Sequence, residues 1–399
     1  MAQGTQDNSI LGIVGQIGAE ASPGAGGNAN RRLPNSKYTL SSQGDFNEYK
    51  GEGSKFVNSV VPGDEWSSGD YSCPMSFSEV IWPLESIIKK VTPTGGAGSS
   101  QTRVYSPNPN GPDTIQTFVA QRGNGHYNRQ FTHVFWNDLT MTFARKEAML
   151  SGTVMGQQVT FPTAMTTSPT PIENALVTPK LIDLFYADTW ANLSVSPTQI
   201  LRGFNLEFKI GSRYNPFYPM NSSLPSFAGI TESADLDASL SLKLGADVNY
   251  VGAWQATTAY TLGVVRTRLT GTGLLVFKVT TAGTTGASEP TWPTTIGGTV
   301  TDGTVVWTAI LPDYGDPVNM DVMRRGATVF LRAKVLGPQI SGAVYYMLQA
   351  DFCAVVNSVP GEDDENGLAT NTWGMRITPE PGGTLKPFEI TVVNKVAAV

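Results

Sequence analysis

Between Leu236 and Leu244 the chain reads Leu-Asp-Ala-Ser-Leu-Ser-Leu-Lys-Leu, with a small or apolar residue at every second position. A period of two is the repeat of a β-strand, whose successive side chains point to opposite faces. The same alternation recurs along the chain. Leu139, Met141 and Phe143 oppose Asp138, Thr140 and Thr142, and Leu206, Phe208 and Ile210 oppose Asn205, Glu207 and Lys209. Val329, Leu331, Ala333 and Val335 oppose Phe330, Arg332 and Lys334. Further apolar rows run through Tyr346–Val356, Trp373–Ile377 and Phe388–Val392. Strands with one wet and one dry face imply antiparallel sheets packed as a sandwich or barrel, so the fold class is all-β.

A second kind of pattern interrupts this one. From 251 to 311 the runs shorten, aromatics stand at Trp254, Tyr260, Phe277, Trp292 and Trp307, and turn signals recur at Gly297-Gly298 and Asp302-Gly303. This predicts a small inserted all-β domain over 249–313, within a host made of 1–248 and 314–399. A host that tolerates such an insertion exposes the interrupted loop at its surface. Within the host, 77–90 predicts one short helix, with Ser78 as N-cap, Leu84, Ile87 and Ile88 on one face, and Pro83 limiting its regularity. Residues 1–35, rich in Gly and Asn, read as an extended N-terminal arm. The Gly/Ser/Pro stretch 92–112 reads as a long loop that is functional or ordered by a partner.

Composition narrows the function classes. The 399 residues are 40% hydrophobic and only 15% charged, with 42 Gly and 26 Pro, which fits a loop-rich β protein. A net charge of -6 opposes tight nucleic-acid binding. No run approaches the ~18 apolar residues that span a bilayer, so membrane insertion is not expected. No basic residue precedes Arg31, which argues against a secretory signal. Cys73 and Cys353 match no metal spacing and read as buried, reduced thiols.

Chemistry-bearing motifs are scarce. His126 and His133 lack a metal pattern and read as surface or interface hydrogen-bonding residues. No nucleophile elbow, Walker loop or dinucleotide fingerprint occurs, and Gly95-Gly-Ala-Gly98 lacks the Lys-Ser/Thr of a phosphate cradle. The expectation is no enzyme, no catalytic residues, no metal and no cofactor. Glu362, Asp363, Asp364 and Glu365 form the densest charge cluster. Without the spacing of a calcium loop they read as a solvated acidic connector, at an interface or a lumen wall. Trp254, Tyr260, Trp292 and Trp307 have two readings, the core of the small domain or a carbohydrate-stacking platform.

The order of host segments resembles the tail tube proteins of long-tailed, siphophage-like bacteriophages. It runs from Gly51-Glu-Gly-Ser-Lys-Phe56 and Glu65-Trp66 through Ser78-Glu79, Asn137–Thr140, Leu150–Gln157, Tyr186–Ala191 and Phe204–Gly211. It closes on Tyr346–Val356, the acidic connector, Trp373–Ile377 and Phe388–Asn394. Trp254–Val265 and Ala287–Pro293 resemble the immunoglobulin-like or carbohydrate-binding modules that decorate phage tails. The resemblance implies a β-sandwich subunit in a virion tail, assembled in the cytoplasm of the infected bacterium. Homohexameric rings would stack into a tube that contacts the tape-measure, tail terminator and tip proteins. Double-stranded DNA would pass through the lumen without specific binding. The insert would decorate the exterior and touch host surface glycans. Ring contacts would come from sheet edges, and stacking contacts from 1–35 and 92–112. The alternative is a tail-tip or baseplate adhesin that binds host carbohydrate through the insert, and a glycan hydrolase ranks third.

Overall fold

A single antiparallel pathway links most of the host. The computed structural model describes residues 14–123, 127–162, 164–187, 189–195, 197–200, 203–220, 226–233, 235–245, 253–270, 275–310, 326, 328–358, 363–365, 367–379 and 386–399. Starting from Ser59–Pro74, the strands pair in the order Ala148–Gly156, Asn128–Ala144, Gly203–Ile210, Ala238–Gly245, Leu368–Ile377, Val344–Ser358, Thr328–Ser341 and Ile182–Ala187. The protein is all-β, as the alternation predicts.

Two long strands each serve two neighbours along one edge. Asn128–Ala144 pairs Phe118–Gly123 through its first half and Gly203–Ile210 through its second. Val344–Ser358 likewise takes Phe388–Asn394 and then Leu368–Ile377. Such splitting lets sheets wrap around one core. The inward rows Leu139–Phe143, Leu206–Ile210, Leu240–Leu244, Tyr346–Val356 and Phe388–Val392 join a single buried cluster.

Inside it lies the helix Ile81–Ile87, buried on every side and not on one face only. Its first turn accepts Pro83 because the donor lost there has no helical partner anyway. Ser78 is not the N-cap: Val80 holds that position without a side-chain bond, and Ser76 Oγ accepts from the Ser78 and Glu79 amides instead. Its last carbonyls are not left bare. Arg213 Nη1 donates to Ile87 and, at 2.9 Å, to Ile88, and Tyr214 Oη donates to Ile87 at 3.1 Å. Glu85 is held in the core by Arg103 at 3.1 Å and Tyr105 at 3.4 Å.

Two expected loose segments turn out to be built into the body. Val14–Ala19 pairs along its length with Phe118–Gly123, and Ile17 is buried. The Gly-rich turn that follows wraps the buried Glu20 carboxylate, which accepts from Gly24 and Gly26 amides at 3.1 Å, Thr117 Oγ1 at 2.8 Å and His133 N at 3.0 Å. Gly24 and Gly26 have φ of 74° and 70°, so the glycines serve a tight turn and not an extended arm. The start of the segment, 1–13, lies outside the described residues. Within 92–112, Gln101–Tyr105 is a strand paired with Phe388–Asn394, with Arg103 and Tyr105 buried.

The described residues of the insert, 253–270 and 275–310, pair only among themselves. Val265–Arg266, Val276–Thr281, Val305–Ile310 and Thr299–Asp302 make one sheet, and Ala259–Tyr260 with Gly283–Thr284 a second. Their core of Trp254, Tyr260, Phe277, Val279, Val305, Trp307 and Ala309 is separate from that of the host.

Candidate functional site

The most exposed regular structure in the host is a hairpin made by Ser41–Tyr49 and the first half of Ser59–Pro74. Its register runs Gln43↔Trp66, Gly44↔Glu65, Phe46↔Pro62, Asn47↔Val61, Glu48↔Val60 and Tyr49↔Ser59. The turn is closed by Ser54 N to Gly51 O at 3.1 Å and Asn58 N to Tyr49 O at 2.8 Å, with Gly53 at φ 76°. Pairing of Ser59–Pro74 with the body begins only at Ser67. Every residue from 42 to 64 except Ser54 is exposed. Eight strand residues, 59–66, precede that pairing, so the ribbon extends roughly 27 Å before it.

What the ribbon exposes is apolar. Phe46 is 63% exposed and Phe56 80%, with Tyr49, Val57, Val60 and Val61 exposed as well. From the register, Phe46, Val60 and Pro62 share one face with Glu48, while Tyr49 and Val61 share the other with Asn47. An isolated two-stranded ribbon is marginal in water, and this one, beyond its base at Glu65 and Trp66, has apolar residues on both faces with no core beneath either among the described residues. Its edges are blunted. The register shifts at Gly44/Phe46 and Pro62 lacks a donor, both of which oppose further strand addition. The ribbon is shaped to be covered by faces, not extended at edges.

The aromatic residues of the insert lie mainly inside. Trp254, Tyr260 and Trp307 are buried, at 3%, 6% and 0% exposure. The Trp254 and Trp307 indole N–H groups converge on the buried Asp302 carboxylate at 2.7 and 3.2 Å, and Gly286 N donates to its other oxygen at 2.7 Å. Trp292 is half-buried, stacked on Phe277 at 4.0 Å and bonded to Glu289 at 2.7 Å. A sugar-stacking face is therefore not available on Trp254, Tyr260 or Trp307, because their rings fill the core of the domain.

The acidic connector is partly structured. Asp363–Glu365 is an edge strand on Leu368–Ile377, with Gly367 at φ 84° in the turn. Lys243 Nζ reaches Asp363 at 3.0 Å and Glu365 at 2.8 Å, and holds the Asp363 carboxyl below its usual range. Asp364 accepts from Gly367 N at 2.9 Å. Glu362 lies outside the described residues.

His133 is not at a surface. It is 2% exposed, its ring lies edge-on to Phe227 at 5.1 Å, and neither ring nitrogen has a partner among the described residues. Burial pushes its pKa down to about 4. His126 lies outside the described residues. Cys73 and Cys353 are buried and not joined in a disulfide, and burial pushes the Cys73 thiol up to about 12.

A cleft of about 550 Å³ opens between Pro107–Pro112 and Leu236, Ile377 and Pro387, with Arg213 at its wall. All five Arg213 N–H groups are used, on Asp113, twice on Glu232, and on the two helix carbonyls. The cleft therefore offers no free guanidinium donor to an anion. No known protein family and no curated protein matches the chain.

The hairpin is the feature that sequence reading missed. Its signal was present as Phe46, Tyr49, Phe56, Val60 and Val61 scattered around Gly51-Glu-Gly-Ser54. Because these residues divide between two faces, they show no single dry row.

Proposed function

We propose that this chain is a structural subunit that works by self-assembly, the major tail tube subunit of a long-tailed bacteriophage. On this reading hexameric rings stack into a conduit for the tape-measure protein and the genome, and the insert decorates the outside. The observation that carries it is the projecting hairpin. Apolar on both faces, it has a stable place only when other surfaces cover it, and repeated copies of one subunit supply such surfaces at every position. The all-β body with its ordered run of segments supports the same reading, and so does the net charge of -6, which suits a wall past which a polyanion slides.

Negative-stain electron microscopy of the purified chain tests the proposal. Hollow rings or stacked tubes are the expected result. Discrete monomers or trimers without a lumen, at concentrations where assembly is complete for such subunits, would overturn it in favour of the adhesin reading.

A further inference from the structure

Among the described residues, the main sheet outside the hairpin carries three exposed large apolar side chains, Val104, Leu336 and Tyr345. All three fall on one face of four adjacent strands. Leu336 pairs with Met347, Met347 with Val393, and Val104 with Thr391, while Tyr345 lies two residues from Met347. The opposite face of these strands, through Tyr346, Leu348, Ile390 and Tyr105, is the core. Further along the outer face a cover exists. Arg332 and Asp351 are bonded there at 2.6 Å, and Arg332 donates to Leu193 O in the helix Asn192–Val195. Beyond that bonded pair begins the strip of Leu336, Met347, Tyr345 and Val104.

We propose that this strip is the seat of the hairpin of a neighbouring copy, packed face to face. The inference rests on the self-assembly reading and names the contact that drives it. A ribbon and a sheet stack through their side chains, and both surfaces here are apolar rows on regular strands. Their charges also match in spacing. On the hairpin, Glu48 lies two residues from Phe46 on the same face. On the strip, Lys334 lies two residues from Leu336 on the same face. Neither Glu48 nor Lys334 has an ion-pair partner among the described residues, and Asp183, the cross-strand neighbour of Lys334, accepts from Gln199 at 2.9 Å. Seating Phe46 on the Leu336–Met347 row places Glu48 beside Lys334. Because hairpin and strip are different patches, the contact can repeat head-to-tail from copy to copy, which builds rings or stacks.

Complementation of two variants tests the seat. Phe46→Ser with Val60→Ser spoils only the hairpin, and Leu336→Ser with Val104→Ser spoils only the strip. All four positions are exposed, so retained thermal melts establish that each variant folds. Each alone sediments as a monomer at concentrations where the parent assembles. Mixed in equal amounts, they form a dimer that grows no further, because one intact hairpin meets one intact strip. Glu48→Lys or Lys334→Glu alone weakens association about threefold, and the charge-swapped pair restores it. A bismaleimide spanning about 10 Å, the spacing of stacked sheets, joins copies carrying Val60→Cys to copies carrying Leu336→Cys. A mixture that stays monomeric, or cross-links only between hairpins, overturns the seat. If the parent still forms tubes in that case, the tube reading stands while this contact falls; a parent that never assembles sinks both.

Discussion

Replacing Phe46 and Val60 by serine separates assembly from folding. Both side chains lie on one face of the hairpin, with Phe46 63% and Val60 54% exposed. Little is buried in the isolated subunit, so the substitutions remove few internal contacts. Surface changes of this kind shift stability by about 0.5 kcal/mol or less. In an assembly the same side chains become covered. Fully burying a Phe or Val contributes about 1.5–3 kcal/mol, so covering the exposed part gives about 1.5 kcal/mol for Phe46 and about 1 for Val60. Their sum, about 2.5 kcal/mol, corresponds to roughly a 60-fold loss of affinity at each contact. Sedimentation velocity over a concentration series measures that loss, and thermal melting of the dilute subunit measures stability. An unchanged melt with association weakened by one to two orders of magnitude is expected. Unchanged association would refute the argument, because a face that assembly leaves exposed has no reason to carry these residues. A large fall in melting temperature would equally show the hairpin to be part of the body.

Other predictions concern the interior. His133 stays neutral in the fold down to about 4, whereas the unfolded chain takes up the proton near the ordinary histidine value of about 6.5. The unfolded state binds more protons between these values. Stability is therefore full above about pH 6.5 and falls by about 3 kcal/mol as pH drops to about 4. Urea unfolding at pH 7 and pH 4 should show this loss in the parent beyond that of His133→Phe; equal losses would assign the pH response to other groups. Arg213→Ala takes the buried guanidinium from Asp113, Glu232 and the Ile88 carbonyl and leaves Ile87 O only Tyr214, and should cost about 3–5 kcal/mol in the same assay. Asp302→Ala strips the acceptor from Trp254, Trp307 and Gly286, a loss of about 4 kcal/mol or more in a domain of marginal size. Limited proteolysis should then cut within 253–310 while the separate host core resists.

Period-two runs were legible wherever one face is dry and one is wet. Leu240–Leu244 and Leu139–Phe143 behave so, and their inward residues are in the core. The rule weakens where a second layer covers the outer face. Phe330, Arg332 and Cys353 are buried on the outside of their strands because Trp190 and Leu193 pack there, a contact between segments well over a hundred residues apart. It weakens again at Gln101–Tyr105, whose Arg103 reads as a surface residue until Glu85 is seen beside it. Glycine misled for a related reason. At Gly24 and Gly26 it permits a turn around a buried carboxylate, while in a sequence it reads the same as slack chain. The hairpin needed three-dimensional knowledge of another sort, since only the register divides its apolar residues between two faces and only the body shows that neither is covered.

The insert shows why aromatic residues in small domains are poor guides to ligands. About 60 residues bury too little apolar area to be stable without large side chains, and tryptophan brings the most area per position. Each indole also brings an N–H that must be bonded once buried. Here Asp302 accepts two of them and Glu289 a third. The tryptophans are thus tied to acidic residues for the sake of the fold, the same combination that a sugar site presents to a sequence reader. Substituting Trp254 or Trp307 in a glycan-binding assay would unfold the domain and abolish any signal, whatever surface carried it. Leu262, Leu269 and Ile296 are the exposed large apolar residues of the insert among those described, at 68%, 59% and 64%. A binding test on the insert belongs at those positions, where a side chain can be removed while the core stays intact. Glycan binding kept in Leu262→Ser, Leu269→Ser and Ile296→Ser alike would place any ligand away from the apolar surface of the module.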